Sequence, residues 1–414
     1  MTDVVDADVT TDHRWRKRAK LVVPGGMYGH MSAANLPAAY PQFYARSSGS
    51  RVTDVNGVEY VDMMCAWGPM IVGYNNPVVE RAAAVQAGEG DLLPGPSPQM
   101  VQLAEELVDL IAHAEWAMFA KNGTDATTMA TTIARAATGR TKVLKAAKAY
   151  HGADPWCTPV LTGVTAEDRA NIVEYTYGDL ASVRAALDAH EGDVAAVIVT
   201  PVRQETHTDQ IPADAEFAKG LRELTTARGA ALILDEVRTG FRLDLRGSWE
   251  PFGVRPDLTA WSKALANGHA LAAVTGVDSL REAARQIYVT GSFWYTSAAM
   301  AAARATLSLL RQHDGVGVMA KHGMRFCEGL RSQAKEHGLA VTVSGPPSMP
   351  FMRFDEDRDL ALANAWSAET LRGGALLHPI HNWFLSTAHT GTDIARVLEA
   401  TDRAFAVVAR LDRP

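Results

Sequence analysis

The chain has 414 residues and 47% of them are hydrophobic, so it can bury a large core and is long enough for one large domain and a smaller one. Its formal net charge of −7 argues against a nucleic-acid-binding protein, and no apolar run approaches the roughly 20 residues that a membrane span needs. No signal peptide is apparent, and the three cysteines lie far apart, so we expect a cytoplasmic protein.

The N-terminal part of the chain contains a basic segment, a hairpin and helices. The basic run at 13–20 predicts a solvated helix, with binding to an acidic partner as the alternative. Alternating apolar residues on both sides of Asn56-Gly57 predict a β-hairpin over 50–64, because this pair favours a two-residue turn. Residues 77–114 are predicted to be mostly helical, with a break at "LLPGPSP".

From about residue 115, short apolar runs alternate with helical stretches. The apolar runs lie at 115–120, 141–146, 194–202 and 230–237. Two of the helical stretches have a start signal and a closing glycine, at 125–139 and 214–229. Strands that are apolar on both faces and separated by helices predict a mostly parallel sheet covered on both sides. Ligands of such sheets bind at the carboxyl ends of the strands.

The C-terminal part is predicted to form a smaller α/β domain together with the N-terminal hairpin region. Its predicted elements are a long helix, two strands and a final helix, at 298–313, 339–345, 349–354 and 392–410. We therefore predict an N-terminal segment (1–75) that joins the small domain, a large domain (76–305) and a C-terminal small domain (306–414).

Two residues at predicted strand ends could carry chemistry. Asp235 follows the apolar run "ALIL", where a carboxylate needs a cationic partner such as a protonated pyridine nitrogen. The alternative is a structural carboxylate that caps the next loop or pairs with Arg238 or Arg242. Lys263 follows "PDLTAWS", where partial burial would lower the pKa of its amine and favour a Schiff base with an aldehyde, although a surface lysine is the alternative. Such a lysine–aspartate pair is the arrangement that binds pyridoxal 5′-phosphate (PLP).

A candidate phosphate site follows the apolar run at 115–120. Gly123 lets the backbone approach an anion, Thr124 offers a hydroxyl, and a predicted helix starts here with free N–H groups. The alternative is an ordinary helix cap made by Thr124 or Asp125. Beyond the run at 141–146, Tyr150 could stack on a cofactor ring, and the next residue is a histidine, either a proton relay or structural. No metal-binding, Walker or dinucleotide-binding motif is present.

Taken in order, these motifs resemble the class III aminotransferases, which are PLP-dependent enzymes of fold type I, and especially the glutamate-1-semialdehyde aminomutase branch. The resemblance covers residues 22–410 and rests on "PGGMYGH", "RVTDVNGVEYVD", "AWGPMIVGYNNP", "NGTDATTMATTIARAATGR", "YHGA", "DEVRTGF", "PDLTAWSKALANG", "GSFWYTSAAMAAA" and "FLSTAHT". It implies an α/β fold. A large domain would contain a mostly parallel seven-stranded sheet covered by helices, and the N- and C-terminal segments would form a smaller α/β domain.

The resemblance implies two catalytic residues and two ring contacts. Lys263 would bind the PLP aldehyde covalently and then shuttle a proton at the substrate carbon. Asp235 would keep the pyridine nitrogen protonated, which makes the ring an electron sink. Val237 would lie against the ring face opposite Tyr150.

Further residues are implied for the phosphate and the substrate. Gly123 and Thr124 would bind the phosphate, and Ser292, in "GSF", would complete the phosphate site of a partner subunit, which implies a homodimer. Trp67, in "AWGP", resembles a wall of the substrate pocket.

This chain departs from the family pattern at the substrate carboxylate. Ser32 stands where the aminomutases have an arginine, Thr200 replaces a glutamate that many members have, and 377–390 contains no arginine. An α-carboxylate without a bidentate arginine loses its main specific contact, so we expect a principal substrate that lacks this carboxylate. The polar and aromatic residues that would suit hydroxyls or a sugar-like ring are Tyr28, His30, His378, His381 and Trp383.

The expected function is transfer of an amino group from a donor such as glutamate or glutamine to an aldehyde or ketone. The acceptor is expected to be an amino sugar, such as a 6′-oxo aminoglycoside of antibiotic biosynthesis. One alternative is a PLP-dependent mutase, epimerase or dehydratase that needs no external donor. The other is a non-catalytic PLP-fold protein that acts as a sensor or scaffold.

Overall fold

The N-terminal region consists of a helix and a small antiparallel sheet in the computed structural model, which describes residues 10–411. Helix α1 is capped by the Thr10 hydroxyl, and three strands follow it. These elements are α1 (Thr11–Val22), β1 (Tyr44–Ser48), β2 (Arg51–Asp54) and β3 (Glu59–Asp62). β2 and β3 pair in antiparallel register around a turn in which Gly57 has a φ of 88°, which confirms the predicted hairpin. Residues 1–9 of the predicted segment 1–75 lie outside the described residues.

The middle of the chain alternates between strands and helices, as predicted. Its strands are β4 (Trp116–Ala120), β5 (Lys142–Ala146), β6 (Ile172–Tyr175), β7 (Val194–Val199), β8 (Val202–Arg203), β9 (Ile211–Pro212), β10 (Ala231–Asp235), β11 (Leu258–Trp261) and β12 (Ala272–Gly276). Its helices are α2 (Pro77–Glu89), α3 (Pro98–Leu110), α4 (Gly123–Thr138), α5 (Ala166–Arg169), α6 (Leu180–Ala189), α7 (Ala215–Arg228) and α8 (Arg281–Gln286).

Seven of these strands form the central sheet, in the order β4-β12-β11-β10-β7-β5-β6. The strands from β11 to β6 run parallel to their neighbours, and β12 is antiparallel to both β11 and β4. Every residue of β7 and β10 is buried, because helices cover both faces. Ile198 and Ile233 pack in the core with α4, whereas Val197 and Leu232 pack in the core with α6 and α7. The predicted mostly parallel seven-stranded sheet is confirmed.

The C-terminal region returns to the N-terminal strands. It contains α9 (Ser297–Gln312), α10 (Gly315–Glu336), β13 (Val341–Ser344), β14 (Phe351–Phe354), α11 (Ala361–Arg372), β15 (Ala375–Leu376) and α12 (Gly391–Val408). β15 pairs in parallel with β3, so the chain end completes the small sheet that the N-terminal strands begin. The division at residues 75 and 305 stays a prediction that agrees with this pairing. Within residues 10–411, no helix combines the length and apolar character that crossing a membrane requires.

Candidate active site

Asp235 and Lys263 lie at the same edge of the central sheet. β10 and β11 are parallel neighbours, and Asp235 pairs in register with Ala260. The chain leaves β11 at Trp261 and reaches Lys263 two residues later, so both side chains lie at the carboxyl ends of adjacent strands. Lys263 has a left-handed φ of 45°, a conformation that costs a non-glycine residue of the order of 1 kcal/mol. Strain of this kind is kept where the surrounding packing fixes the residue.

The surroundings of Lys263 favour its neutral amine. Burial, followed by the charge of the Arg238 guanidinium, lowers the pKa of Lys263 to about 7, although the carboxylate of Asp235 acts in the opposite direction. The Lys263 side chain also passes close to the glycine of "AWGP", since a Cβ built on Gly68 would lie 3.5 Å from Cδ of Lys263. An amine with this pKa is available as a nucleophile near neutral pH.

Asp235 is held by a histidine rather than by an arginine. Its Oδ2 lies 2.8 Å from Nδ1 of His151, and its Oδ1 accepts the backbone N–H of Val237. His151 is buried, its carbonyl accepts the hydroxyl of Thr127, and its ring stacks on Trp156. His151 therefore orients the carboxylate, a role that the sequence left undecided.

The structural alternative for Asp235 is partly borne out. The bond to Val237 does cap the following loop, as that alternative proposed. The proposed arginine pairing is wrong, because in the described chain neither Arg238 nor Arg242 forms an ion pair with Asp235. Arg242 instead donates to the carbonyls of Leu385 and Gly68.

The neighbouring carboxylate has a different role from Asp235. Glu236 is buried and accepts three hydrogen bonds, from the hydroxyl of Thr239 and from the backbone N–H and hydroxyl of Ser248. Because these hydrogen bonds all come from residues of the following loop, Glu236 holds that loop in place and is a structural carboxylate.

The start of α4 forms a cradle for an anion. Asn122 caps the helix and Asp125 completes the capping box, so the prediction of a cap by Thr124 or Asp125 is replaced by one at Asn122. The backbone N–H groups of Gly123 and Thr124 donate to no residue in the part of the chain that the structure describes. The Thr124 hydroxyl accepts the N–H of Ala153. Two free N–H groups at a helix start are suited to a phosphate.

Two glycines are required by the close packing around this cradle. A Cβ on Gly123 would lie 2.5 Å from Cγ1 of Val237. A Cβ on Gly152, whose φ is 140°, would lie 2.7 Å from Oγ1 of Thr124. Both contacts are far inside van der Waals distance, so the loops after β4, β5 and β10 pack closely around the cradle.

Tyr150 and Ser292 are the more exposed members of the predicted cofactor site. Tyr150 is partly exposed, and the charges of Arg238 and Asp235 act on its phenol, whose pKa is raised chiefly by burial. Ser292 is exposed and makes no hydrogen bond with the described residues. The loop that contains Ser292 lies close to the start of α4, because Nζ of Lys121, two residues before Gly123, donates to the hydroxyl of Thr296.

Trp67 lies at the centre of a cluster of three histidines. Its ring centroid is 4.9 Å from that of His30, 5.2 Å from that of His378 and 5.0 Å from that of His381, all in edge-on contacts. Burial lowers the pKa of all three imidazoles, that of His378 to about 4, so the cluster is uncharged near neutral pH. This arrangement brings together four of the predicted substrate residues.

The remaining predicted substrate residues lie elsewhere. Tyr28 is 67% exposed and makes no ring contact with the Trp67 cluster. Trp383 lies in the core, where it stacks on Trp366, so it is unavailable to a substrate.

The turn that carries Trp67 has an unusual backbone. Cys65, Ala66 and Trp67 have φ values of 47°, 51° and 66°, three successive left-handed residues that are not glycine. The buried carboxylate of Asp62 supports the turn, since it accepts the N–H of Met64 at 2.7 Å and the hydroxyl of Tyr74 at 2.6 Å. Each left-handed residue costs of the order of 1 kcal/mol, so the packing holds Trp67 against a backbone preference.

A lysine and an aspartate at the carboxyl edge of a mostly parallel sheet, beside a helix start with free N–H groups, are typical of a PLP-dependent enzyme of fold type I. The chain belongs to the class-III aminotransferases, whose family model matches residues 32–382. It is therefore a PLP-dependent aminotransferase, which transfers an amino group between an amine and a carbonyl compound. No group of residues suited to a metal ion is found in residues 10–411.

Several similar proteins support this assignment. The aminopentol aminotransferase of Sphingopyxis macrogoltabida is 46% identical over 98% of this chain and 96% of its own length. The 3-aminobutyryl-CoA aminotransferase of Cloacimonas acidaminovorans (strain Evry) is 33% identical over 95% of this chain and 96% of its own. A glutamate-1-semialdehyde 2,1-aminomutase of Chloroherpeton thalassium is 30% identical over 94% of this chain and 96% of its own length. Because this identity is lower than that of the two aminotransferases, the mutase alternative is less well supported than amino transfer. The PLP internal aldimine form of the FumI protein of Sphingopyxis sp. MTA144 has a TM-score of 0.95 at 46% identity, over 96% of both chains.

Replacement of Gly123 by alanine is expected to weaken PLP binding. The new methyl would overlap Val237, and overpacking of this kind costs about 1–3 kcal/mol, so the dissociation constant of PLP should rise about tenfold or more. The matched control is Gly88→Ala in α2, where a Cβ meets nothing within 4 Å. Fluorescence titration of the apo-enzymes measures both constants, and equal PLP affinity in the two variants would contradict the cradle.

The rate at which PLP attaches to the apo-enzyme is expected to rise with pH through about 7 and then to level off. Below this pH the ammonium form of Lys263 has no free electron pair, whereas above it the neutral amine predominates, because its pKa is lowered to about 7. Stopped-flow absorbance across the pH range measures this rate. A rate that is still rising steeply between about pH 8 and pH 10, as an ordinary lysine would give, would contradict the lowered pKa.

Proposed function

We propose that this aminotransferase acts on the amino-bearing or carbonyl carbon of a hydroxylated aliphatic compound that has no carboxylate next to that carbon. The observation that carries the proposal is the uncharged cluster of Trp67 and three histidines beside Lys263. Neutral imidazoles and an indole ring suit hydroxyl groups and an aliphatic chain better than they suit an anion. The 46% identical relative, named for an aminopentol, supports the same substrate class.

An amino sugar is the second candidate, as expected from the sequence. The observation that favours it is Trp67, because the face of an indole can pack on the apolar face of a sugar ring. A 6′-oxo aminoglycoside of antibiotic biosynthesis belongs to this class. The two candidates differ in whether the carbon that receives nitrogen is attached to a ring or lies in an open chain.

The residues of the candidate site fit PLP, and we propose these contacts. The free N–H groups of Gly123 and Thr124 would hold the phosphate, Asp235 would meet the ring nitrogen, and Val237 and Tyr150 would lie on the two faces of the ring. When bound, PLP accepts the electron pair that remains when a proton leaves the substrate carbon.

The protein side chains have distinct tasks in this reaction. The carboxylate of Asp235, oriented by His151, would stabilise a positive charge on the ring nitrogen. The neutral amine of Lys263 would take the proton from the substrate carbon and release it to the cofactor in the same half-reaction, and in the second half-reaction it would move a proton in the opposite direction.

A homodimer in which Ser292 completes the phosphate site of the partner is also proposed. Its support is the exposed loop around Ser292, in which Tyr288 is 90% exposed and Phe293 is 62% exposed, because large apolar side chains of this kind are typical of an interface. Light scattering should give twice the chain mass of 44.5 kDa, and Ser292→Ala should weaken PLP binding. A monomer that binds PLP with full affinity would contradict the proposal.

We further propose that the enzyme works in the cytoplasm. Its cysteines support this, because Cys65, Cys157 and Cys327 are buried and unpaired, as is typical of proteins of a reducing compartment.

The experiment that tests the proposed function follows nitrogen-15 through the purified holoenzyme. Labelled glutamate, glutamine and alanine serve as donors, and a long-chain keto polyol, a 6′-oxo aminoglycoside and glutamate-1-semialdehyde serve as acceptors. Mass spectrometry should find the label in the polyol or the aminoglycoside. Isomerisation of glutamate-1-semialdehyde without any transfer of label would contradict an aminotransferase reaction on these compounds and favour a mutase. PLP binding without turnover of any amine would favour a non-catalytic role.

A further inference from the structure

Arg238 enters the candidate active site with one edge of its guanidinium unoccupied. It lies three residues after Asp235, and its Nη1 donates to the carbonyl of Gln204 at 3.1 Å and to Oδ1 of Asn382 at 3.0 Å. Asn382 is buried and its own amide donates to the carbonyl of Trp383, so the anchor of Nη1 is fixed. Nε and Nη2 of Arg238 donate to no residue in the range that the structure describes.

The surroundings of Arg238 contain too little negative charge to balance it. In the described chain no carboxylate forms an ion pair with this guanidinium, and Glu205, a carboxylate of the adjoining loop, pairs with Arg203 at 3.4 Å. Asp235 is engaged with His151 at 2.8 Å. Burial lowers the pKa of Arg238 to about 10, and its charge lowers the pKa values of Lys263 and of two histidines of the cluster. Arg238 therefore has no salt-bridge partner among the described residues, although the charge of Asp235 partly offsets the effect of burial on its pKa.

We infer that Arg238 is the carboxylate-binding subsite for the amino-acid or 2-oxo-acid partner of this enzyme. The inference rests on the proposed function, in which one substrate has a carboxylate and the other does not. The unoccupied Nε–Nη2 edge of a guanidinium matches the two oxygens of a carboxylate in a bidentate pair. The sequence contains no arginine at the position that binds the substrate carboxylate in the aminomutases, where Ser32 stands, so Arg238 supplies this contact from a different loop.

The two substrates would use different parts of one cleft. A hydroxylated substrate without a carboxylate would contact the uncharged cluster around Trp67, whereas an amino acid would place its carboxylate on Arg238. Both compounds would react at Lys263, one after the other. The site would tell them apart by the charge of the carboxylate, which only one of them has.

Steady-state kinetics of holoenzyme variants test this subsite. For Arg238→Gln, the KM for pyruvate or 2-oxoglutarate should rise roughly 10- to 100-fold, because a hydrogen-bonded charged group is lost. The KM for propanal, an acceptor without a carboxylate, should change by less than about threefold, because propanal makes no ion pair with Arg238. A change in kcat that follows from the effect of Arg238 on the pKa of Lys263 should be the same for propanal and for the 2-oxo acids. Arg238→Lys should fall between the wild type and Arg238→Gln, since an ammonium cannot form the bidentate pair. The matched control is Arg203→Gln, which removes the neighbouring arginine that already has a partner.

The other outcomes overturn the inference. An unchanged KM for both 2-oxo acids in Arg238→Gln would do so. Equal losses with propanal and with the 2-oxo acids, together with an altered absorbance spectrum of bound PLP, would instead place Arg238 on the cofactor. A melting temperature equal to that of the wild type excludes misfolding as a cause. If the wild-type enzyme transfers no nitrogen from any amine, the proposed function itself is wrong. That result differs from the variant results above, which test only the role of Arg238 in an active enzyme.

Discussion

Lys263→Ala is expected to abolish amino transfer, with a loss of at least about 10³-fold in the single-turnover rate, because the proposed base at the substrate carbon is removed. The fold should persist. The Lys263 side chain makes no hydrogen bond with the described residues and its charged form is disfavoured by burial, so we expect the free energy of unfolding to change by less than about 1 kcal/mol. Single-turnover absorbance and thermal denaturation measure the two effects.

The control for this prediction is Lys219→Ala, which removes an exposed lysine of α7. It should keep the wild-type rate and the covalent attachment of PLP. A Lys263→Ala enzyme that transfers amino groups at the wild-type rate would contradict the assignment of the catalytic base.

Asp235→Asn is expected to retain PLP but to slow removal of the substrate proton by roughly 10²- to 10³-fold, the usual effect of losing a group that stabilises developing charge. An asparagine can still accept the N–H of Val237 through Oδ1, and its amide NH2 can donate to Nδ1 of His151 in the other imidazole tautomer, so the loop should keep its shape. Its neutral amide cannot balance the charge on the ring nitrogen. The kinetic isotope effect of a substrate deuterated at the reacting carbon, measured together with the rate, should show that proton removal has become rate-limiting.

The adjacent Glu236 provides a matched control. Glu236→Gln removes an equally buried carboxylate, one that accepts its hydrogen bonds from Thr239 and Ser248. We expect it to lower the free energy of unfolding and to leave the rate within about threefold, since the group lies outside the chemistry. Equal losses of rate in both variants would contradict a specific role for Asp235.

The parts of the fold that the sequence predicted are those with a clear local pattern. The Asn56-Gly57 hairpin and the apolar strands were predicted because turn chemistry and burial on both faces leave a direct mark on the sequence. Helix α10 was not predicted, because its glycines weaken the helix propensity of the segment. Gly323 is required by tertiary packing, since a Cβ there would lie 1.9 Å from the carbonyl oxygen of Pro347, and such a contact cannot be read from the local sequence.

The candidate site was predictable where its residues follow strands directly. Asp235, Lys263 and Gly123 each come just after an apolar run, and parallel strands bring such residues to one edge. The contacts of His151 with Asp235 and of Arg238 with Asn382 join residues 84 and 144 positions apart, which no local pattern reveals. The sequence identifies Arg238 only as a candidate partner of Asp235. The sequence signal that could have identified it as a site residue is its position just after the carboxyl end of β10, where ligands of such sheets bind.

The most direct test is to identify the lysine that binds PLP. The holoenzyme is reduced with borohydride, which fixes the cofactor to its lysine, and is then digested and analysed by mass spectrometry. We predict one phosphopyridoxyl group per chain, on the peptide that contains Lys263. Its attachment to Lys121 or Lys145 instead, or a chain that carries no label after reduction, would contradict the account.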